Sequence, residues 1–390
     1  MPYRLDGLRP VLLLATLPFV AACEPPASGP AADPEPALKD VFEGAFLIGA
    51  ALNPEQFYER DSLGAALVKK HFNTITPENV MKWELIHPEP DRYDFEAADR
   101  FVAFGEENGM FIVGHTLVWH NQTPRWVFED STGAPVSREV LRARLRDHIH
   151  TVVGRYRGRV HGWDVVNEAL NEDGTLRATP WLRILGEEYL AMAFRFAHEA
   201  DPDAELYYND YGLENPAKRD GAVRLARRLM EQGVPITGIG TQGHHHLAPD
   251  VPTPEAQAAT LRAFGDLGLD VMVTELDLAV LPRPRQYWGA DITQRAELRN
   301  ELNPYPDALP DSVQQALARR YAALFRVFLE HRDVLERVTF WGVTDGDSWL
   351  NNWPIAGRTT YPLLFDRHYR PKPAFHAVVH VADSMLSARP

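Results

Sequence analysis

A (β/α)8 TIM barrel, built as a single domain, is the fold the sequence predicts, on three observations. From residue 40 onward eight short apolar runs recur, at 46–52, 74–77, 111–119, 162–167, 205–209, 238–243, 270–276 and 338–343. Longer amphipathic stretches separate them, and strands alternating with helices over such a length argue for a parallel α/β architecture. Polar or aromatic residues stand at or close to the end of most of the runs, the place where a barrel gathers its chemistry. The eightfold count favours closure. A doubly wound open sheet is the alternative, but no G-x-G-x-x-G follows the first run to give it a dinucleotide site.

Taken in chain order, residues 1–22 read as an export signal. Arg4 and Arg9 lie in a polar start, an apolar run extends from Val11 to Val20, and Ala21-Ala22 precede Cys23. That order is the order of a secretory signal, and the apolar run is too short to span a bilayer. Val20-Ala21-Ala22-Cys23 resembles a bacterial lipobox, in which the cysteine is lipidated and becomes the new N-terminus. Cys23 is the only cysteine, so no intramolecular disulfide forms and the thiol stands where lipidation needs it. Acyl chains there would anchor the protein to a membrane, at the cell surface or on the periplasmic face. Residues 23–38, rich in Pro and Ala, read as a tether, and residues 39–385 as the barrel.

Between the runs, helices are predicted over 138–156, 182–200, 216–231 and 312–331. Ser137 and Asn215-Pro216 stand at two helix starts, and Gly233 lies just past one helix end. The segment 280–311 breaks the rhythm after the seventh strand, with Leu281-Pro-Arg-Pro-Arg, Trp288 and Asn303-Pro-Tyr-Pro-Asp. On a barrel it belongs at the end where long loops shape function.

The chain has 390 residues, 45% of them hydrophobic, and a formal net charge of −14. Such a balance repels phosphates, so nucleic acid is set aside as a partner. Nine Trp and thirteen Tyr offer flat faces to neutral sugar rings as well as to the core.

The strand ends carry Glu78-Asn79 with Lys82-Trp83, His115 with Trp119-His120, Asn167-Glu168, Asn209-Asp210, Gln242 with His244, Glu275 with Asp277, and Trp341 with Trp349. Glu168 from the fourth strand and Glu275 from the seventh are expected to face each other across the barrel mouth. Hydrolysing an acetal needs a proton donor on the leaving oxygen and a carboxylate on the other side of the anomeric carbon. Adjacent side chains in a regular strand point to opposite faces, so the fourth strand must end or bulge for Asn167 and Glu168 both to reach a substrate. An amide at Asn167 could then bind the 2-hydroxyl of the reacting sugar. Glu275 and Asp277 share a face at period two, as do Gln242 and His244, and Asp277 with His244 is expected to orient Glu275. His244-His245-His246 invites a metal site, but His245 and His246 are read as loop residues and no metal is expected.

Six motifs stand in order: Pro77-Glu-Asn-Val-Met-Lys-Trp83, Gly114-His-Thr-Leu-Val-Trp-His120, Trp163-Asp-Val-Val-Asn-Glu168, Gly238-Ile-Gly-Thr-Gln-Gly-His244, Thr274-Glu-Leu-Asp277, and Trp341-Gly-Val-Thr-Asp345 with Ser348-Trp-Leu350. Together they resemble glycoside hydrolase family 10, the retaining β-1,4-xylanases, across nearly the whole chain beyond the tether. The resemblance implies an exported, monomeric endo-1,4-β-xylanase acting on xylan and xylo-oligosaccharides without a cofactor. It implies Glu168 as general acid/base and Glu275 as nucleophile. Asn167, Gln242, His115, Trp119 and Lys82 would surround the reacting sugar, Glu78 and Asn79 would bind the next sugar on the glycone side, and Trp341 and Trp349 would wall the glycone subsites. Two nearby carboxylates cannot both ionise cheaply, so Glu168 is expected to hold the proton while Glu275 is charged. The sequence departs from the family at Gly212, where an Asn is common, and in a 280–311 segment longer than in many members. Two other readings stay open at this point: a retaining β-1,4-glucanase of mixed specificity, and a non-catalytic glycan-binding surface lipoprotein.

Overall fold

The computed structural model describes residues 35–247, 252–284, 287 and 292–387. Cys23, the export signal and all but the end of the tether lie outside the described residues, as does Trp288. Among the described residues eight parallel strands close into a barrel: β1 Leu47–Leu52, β2 Thr74–Pro77, β3 Phe111–Val118, β4 Gly162–Asn167, β5 Glu205–Asp210, β6 Gly238–Thr241, β7 Asp270–Ala279 and β8 Leu335–Phe340. Each pairs with its neighbour in sequence, and β8 returns to pair with β1, Leu47 opposite Arg337. Closure leaves no barrel strand with an open edge.

Parallel strands covered on both faces are apolar almost throughout. β4, for example, is buried at every position. Inside the barrel, Val113 of β3, Tyr207 of β5 and Met272 of β7 form one cluster, the layering by alternate strands that fills such a barrel. The Arg337 guanidinium lies over two rings there, 5.0 Å from Phe111 and 5.1 Å from Tyr207. β3 and β4 approach closely because Gly114 has no side chain: a Cβ there would stand 2.2 Å from the Trp163 indole.

The capping residues act as their chemistry predicts. Ser137 accepts from the Val140 amide at 3.3 Å and opens the helix Arg138–Arg155. Asn215 accepts from the Ala217 amide at 3.1 Å and opens Pro216–Glu231, beyond which Gly233 takes a φ of 63°.

Four boundaries differ from expectation by more than one residue, three of them at glycines. The helix predicted over 182–200 is two helices, Pro180–Leu185 and Glu188–Ala200, because Gly186 has a φ of 70° that no α-helix contains. β6 stops at Thr241, since Gly243 takes a φ of 82°. β8 occupies Leu335–Phe340 rather than 338–343, and Gly342, with a φ of 127°, turns the chain out just after Trp341. β7 runs on to Ala279 because a short strand, His244–His246, pairs with its far half, His244 opposite Asp277. His245 and His246 therefore lie in a strand and not on a loop.

Candidate active site

The strand ends surround a cavity of ≈ 890 Å³. It is lined by the nine residues expected to bind substrate, by His244 and by both glutamates. Asp277, the eleventh expected partner, stands behind His244. β4 ends at Asn167, and Glu168 follows with a φ of 59°. This left-handed turn costs a non-glycine residue about 1–3 kcal/mol. It breaks the alternation of the strand, so both side chains reach the cavity.

The two glutamates are buried and held by unlike partners. Glu168 accepts from two neutral donors, Trp119 Nε1 at 2.9 Å and Gln242 Nε2 at 3.0 Å. Glu275 accepts from Asn209 Nδ2 at 2.8 Å on one oxygen and meets His244 Nε2 at 3.2 Å on the other. His244 Nδ1 lies 3.1 Å from Asp277 Oδ2, which also accepts from Trp349 Nε1 at 2.7 Å. Asn209 is fixed in turn: Thr274 Oγ1 donates to its Oδ1 at 2.6 Å, and its own Nδ2 also donates to Asn167 Oδ1 at 3.0 Å. With Gln242 Nε2 at 3.3 Å from the same oxygen, Asn167 keeps its amide N–H for the cavity.

The electrostatics follow from these partners. Burial disfavours the His244 cation, but the charge and hydrogen bond of Asp277, followed by those of Glu275, outweigh it and push the imidazole up to about 10. Burial would likewise raise Glu275. The His244 hydrogen bond and the positive potential of His115, His244 and Lys82 reverse this, holding its carboxyl below the usual range. At neutral pH the site thus contains a charged Glu275 against a charged His244. A histidine whose pKa rises on folding stabilises the fold fully below its unfolded value of about 6.5. That contribution is lost as pH climbs through its folded value of about 10. We expect His244→Gln to be less stable than wild type by on the order of a few kcal/mol near neutral pH. Thermal melts from pH 6 to above 10 should show the gap closing with alkalinity; a gap that stays constant would contradict the assignment.

The remaining predicted residues also line the cavity. Lys82 Nζ donates to Asn79 Oδ1 at 3.0 Å and lies 5.0 Å from the Trp119 ring and 6.0 Å from that of Trp341. Burial lowers the Lys82 pKa against the pull of Glu275, Glu78 and Glu168, and burial raises that of Glu78 against the pull of Lys82. His115 is fixed by Asp164, Nδ1 to Oδ2 at 2.8 Å, and its ring meets Trp341 edge-on at 5.4 Å. Trp349 stacks on Trp353 at 4.8 Å. His245 pairs with Gln257 at 3.2 Å and His246 with Arg283 at 2.8 Å. Among the described residues no group of three or more His, Cys, Asp or Glu is arranged to hold a metal ion.

Sequence reasoning placed Asn209 at a strand end without a role and missed Asp164, Thr274, Tyr211 and Arg177. Asp164 and Thr274 were within reach, since they lie in the same motifs as Glu168 and Glu275. Tyr211 follows Asn209-Asp210. Arg177, whose Nε donates to the Glu168 carbonyl at 3.1 Å, had no signal, because a hairpin in which Leu170 bridges Leu176 brings it there.

Comparison with known proteins agrees with this geometry. The family model described as Glycosyl hydrolase family 10 matches residues 37–381. The endo-1,4-beta-xylanase A of Xylanibacter ruminicola is 44% identical over 345 residues, 88% of this chain and 93% of that protein. A beta-1,4-xylanase of Dictyoglomus thermophilum is 46% identical over 88% of this chain and 90% of its own length. Among solved structures, a GH10 endoxylanase retrieved from a sugarcane soil metagenome superposes with a TM-score of 0.84 at 45% identity, covering 88% of this chain and 100% of that one.

Proposed function

From the premise that this chain belongs to glycosyl hydrolase family 10, we propose that it is an endo-1,4-β-xylanase that hydrolyses internal bonds of xylan with retention, Glu275 acting as nucleophile and Glu168 as acid/base. The observation that carries the roles is the unlike equipment of the two buried carboxyls. Glu275 faces a cation and an amide N–H, which keep it ionised; Glu168 faces neutral N–H donors. Glu275 attacks the anomeric carbon while Glu168 gives its proton to the leaving oxygen. The glycosidic C–O bond breaks and a glycosyl ester forms. Glu168, now a carboxylate, takes a proton from water, whose oxygen displaces Glu275 and restores the β configuration. His244, clamped by Asp277, orients the nucleophile, and the free N–H of Asn167 suits the sugar 2-hydroxyl. Glu78 and Asn79 would bind the neighbouring glycone unit, with Trp341 and Trp349 as its walls.

We further infer that the protein is held to a membrane by lipidated Cys23. The support is the lipobox-like Val20-Ala21-Ala22-Cys23 and the absence of any second cysteine. The test uses detergent-extracted full-length protein on soluble xylan, with β-glucan in parallel, and follows the first-formed anomer by NMR. β-Configured xylo-oligosaccharides are expected, together with activity that sediments with membranes and is released by Cys23→Ser. Turnover of β-glucan alone would overturn the substrate, α-products the retaining mechanism, and binding without turnover would favour the non-catalytic reading.

A further inference from the structure

Glu168 is one of few non-glycine residues here with a left-handed backbone, and such a conformation persists only where the surroundings impose it. The residues that follow build that constraint. After Ala169 the chain forms a small hairpin: Leu170 bridges Leu176, the Asn171 amide donates to the Thr175 carbonyl at 2.8 Å, and the Arg177 amide donates to the Ala169 carbonyl at 2.7 Å. The tip is tied by Asp173, whose Oδ1 accepts from the Thr175 amide at 3.0 Å. It is seated on the helix Pro216–Glu231, where a Cβ on Gly174 would come within 2.3 Å of the Ala217 carbonyl oxygen. The hairpin brings Arg177 back to the start of its own turn. Nε donates to the Glu168 carbonyl at 3.1 Å, and Nη2 donates to the Leu170 carbonyl at 2.7 Å and to the Tyr211 hydroxyl at 3.1 Å.

That hydroxyl donates onward to Glu172 Oε1 at 2.6 Å, and the Tyr211 ring, part of the cavity lining, rests 3.3 Å from the buried Lys218 ammonium. Lys218 is paired with Asp210 at 2.9 Å. Arg177 thus holds the backbone of Glu168 on one side and a wall of the cavity on the other, while the partners of the Glu168 carboxyl, Trp119 and Gln242, stand just past the ends of β3 and β6.

We propose that Arg177 is a positioning residue: its guanidinium locks the left-handed turn at Glu168 and so aims the carboxyl at the leaving oxygen. The proposal rests on the reading of Glu168 as acid/base. A displacement of about an ångström can cost on the order of 100-fold in rate. Here the loss is expected on proton donation, because the guanidinium's hydrogen bonds go to the Glu168 and Leu170 carbonyls and to Tyr211, and not to Glu275 or its partners Asn209 and His244.

The experiment compares kcat/KM for two aryl β-xylobiosides with wild type, Arg177→Met, Arg177→Lys and Glu168→Ala. The 2,4-dinitrophenyl glycoside departs without a proton; the phenyl glycoside needs one. Arg177→Met is expected to lose about 100-fold on the phenyl glycoside and less than about 3-fold on the dinitrophenyl glycoside. Arg177→Lys, which keeps one donor, should fall between it and wild type, and carries the test if the methionine variant fails to fold. Equal losses on both glycosides would mean a merely structural role and overturn the proposal, as would no loss on either. Glu168→Ala distinguishes the two levels: if it shows no leaving-group dependence, the acid/base reading itself fails; if it does and Arg177→Met does not, only the positioning role is lost.

Discussion

Glu275→Ala is expected to hydrolyse xylan more slowly than wild type by on the order of 10⁴-fold or more, with its fold retained. The size of the effect follows from what stays behind. Asn209, His244 and Lys82 would still create a positive site, but no atom could form the glycosyl ester. The reaction would then have to proceed without its covalent intermediate. The loss should appear in kcat/KM for both aryl xylobiosides regardless of leaving group, the reverse of the pattern expected at Glu168. Circular dichroism and thermal melts distinguish loss of chemistry from loss of fold. Residual activity above a few per cent of wild type, in protein free of contaminating enzyme, would remove Glu275 from the role.

The second large effect concerns stability. Asp345 and Lys372 form a buried ion pair, 0% and 3% exposed, with Nζ 2.9 Å from Oδ2. The same ammonium donates to the Tyr361 carbonyl at 2.9 Å and the Leu363 carbonyl at 2.8 Å, and Asp345 Oδ1 accepts from the Leu363 amide at 2.9 Å. The pair ties the loop after β8, which carries Trp349, to the start of the helix Pro373–Leu386. Burial raises the Asp345 pKa against the pull of Lys372 and lowers that of Lys372 against the pull of Asp345, so desolvation outweighs attraction at both ends. Asp345→Ala strands a buried cation, and we expect a loss of about 3–5 kcal/mol by denaturant unfolding. Replacing both partners, Asp345→Leu with Lys372→Met, should recover much of that loss. A single variant as stable as wild type would show that the cation finds another partner or reaches water.

Much of the site could be read from the chain because barrel chemistry gathers at strand ends. Glu168 is legible just past the run 162–167 and Glu275 near the end of the run 270–276, and Gln242, His244 and Asp277 from the period-two spacing that puts alternate residues on one face. Boundaries failed where the backbone leaves the ordinary regions, at Gly186, Gly243 and Gly342, since apolar periodicity carries no record of a positive φ. The short strand His244–His246 was missed for a related reason: its partner, the far half of β7, lies more than twenty residues away, and three histidines in a row have no strand pattern of their own.

Fold class, the two candidate carboxylates and the side chains nearest them are legible along the chain, because these depend on local periodicity and on residue type at the ends of periodic runs. Only the tertiary structure decided how the carboxylates are equipped. Asn209 links β4 to β7, His244 stands between Glu275 and Asp277, and Arg177 returns through a hairpin to grip the turn at Glu168. Those contacts are set by the register of neighbouring strands in a closed barrel and by the backbone turns at the strand ends. Both arise only when distant segments pack, so no window along the chain contains them.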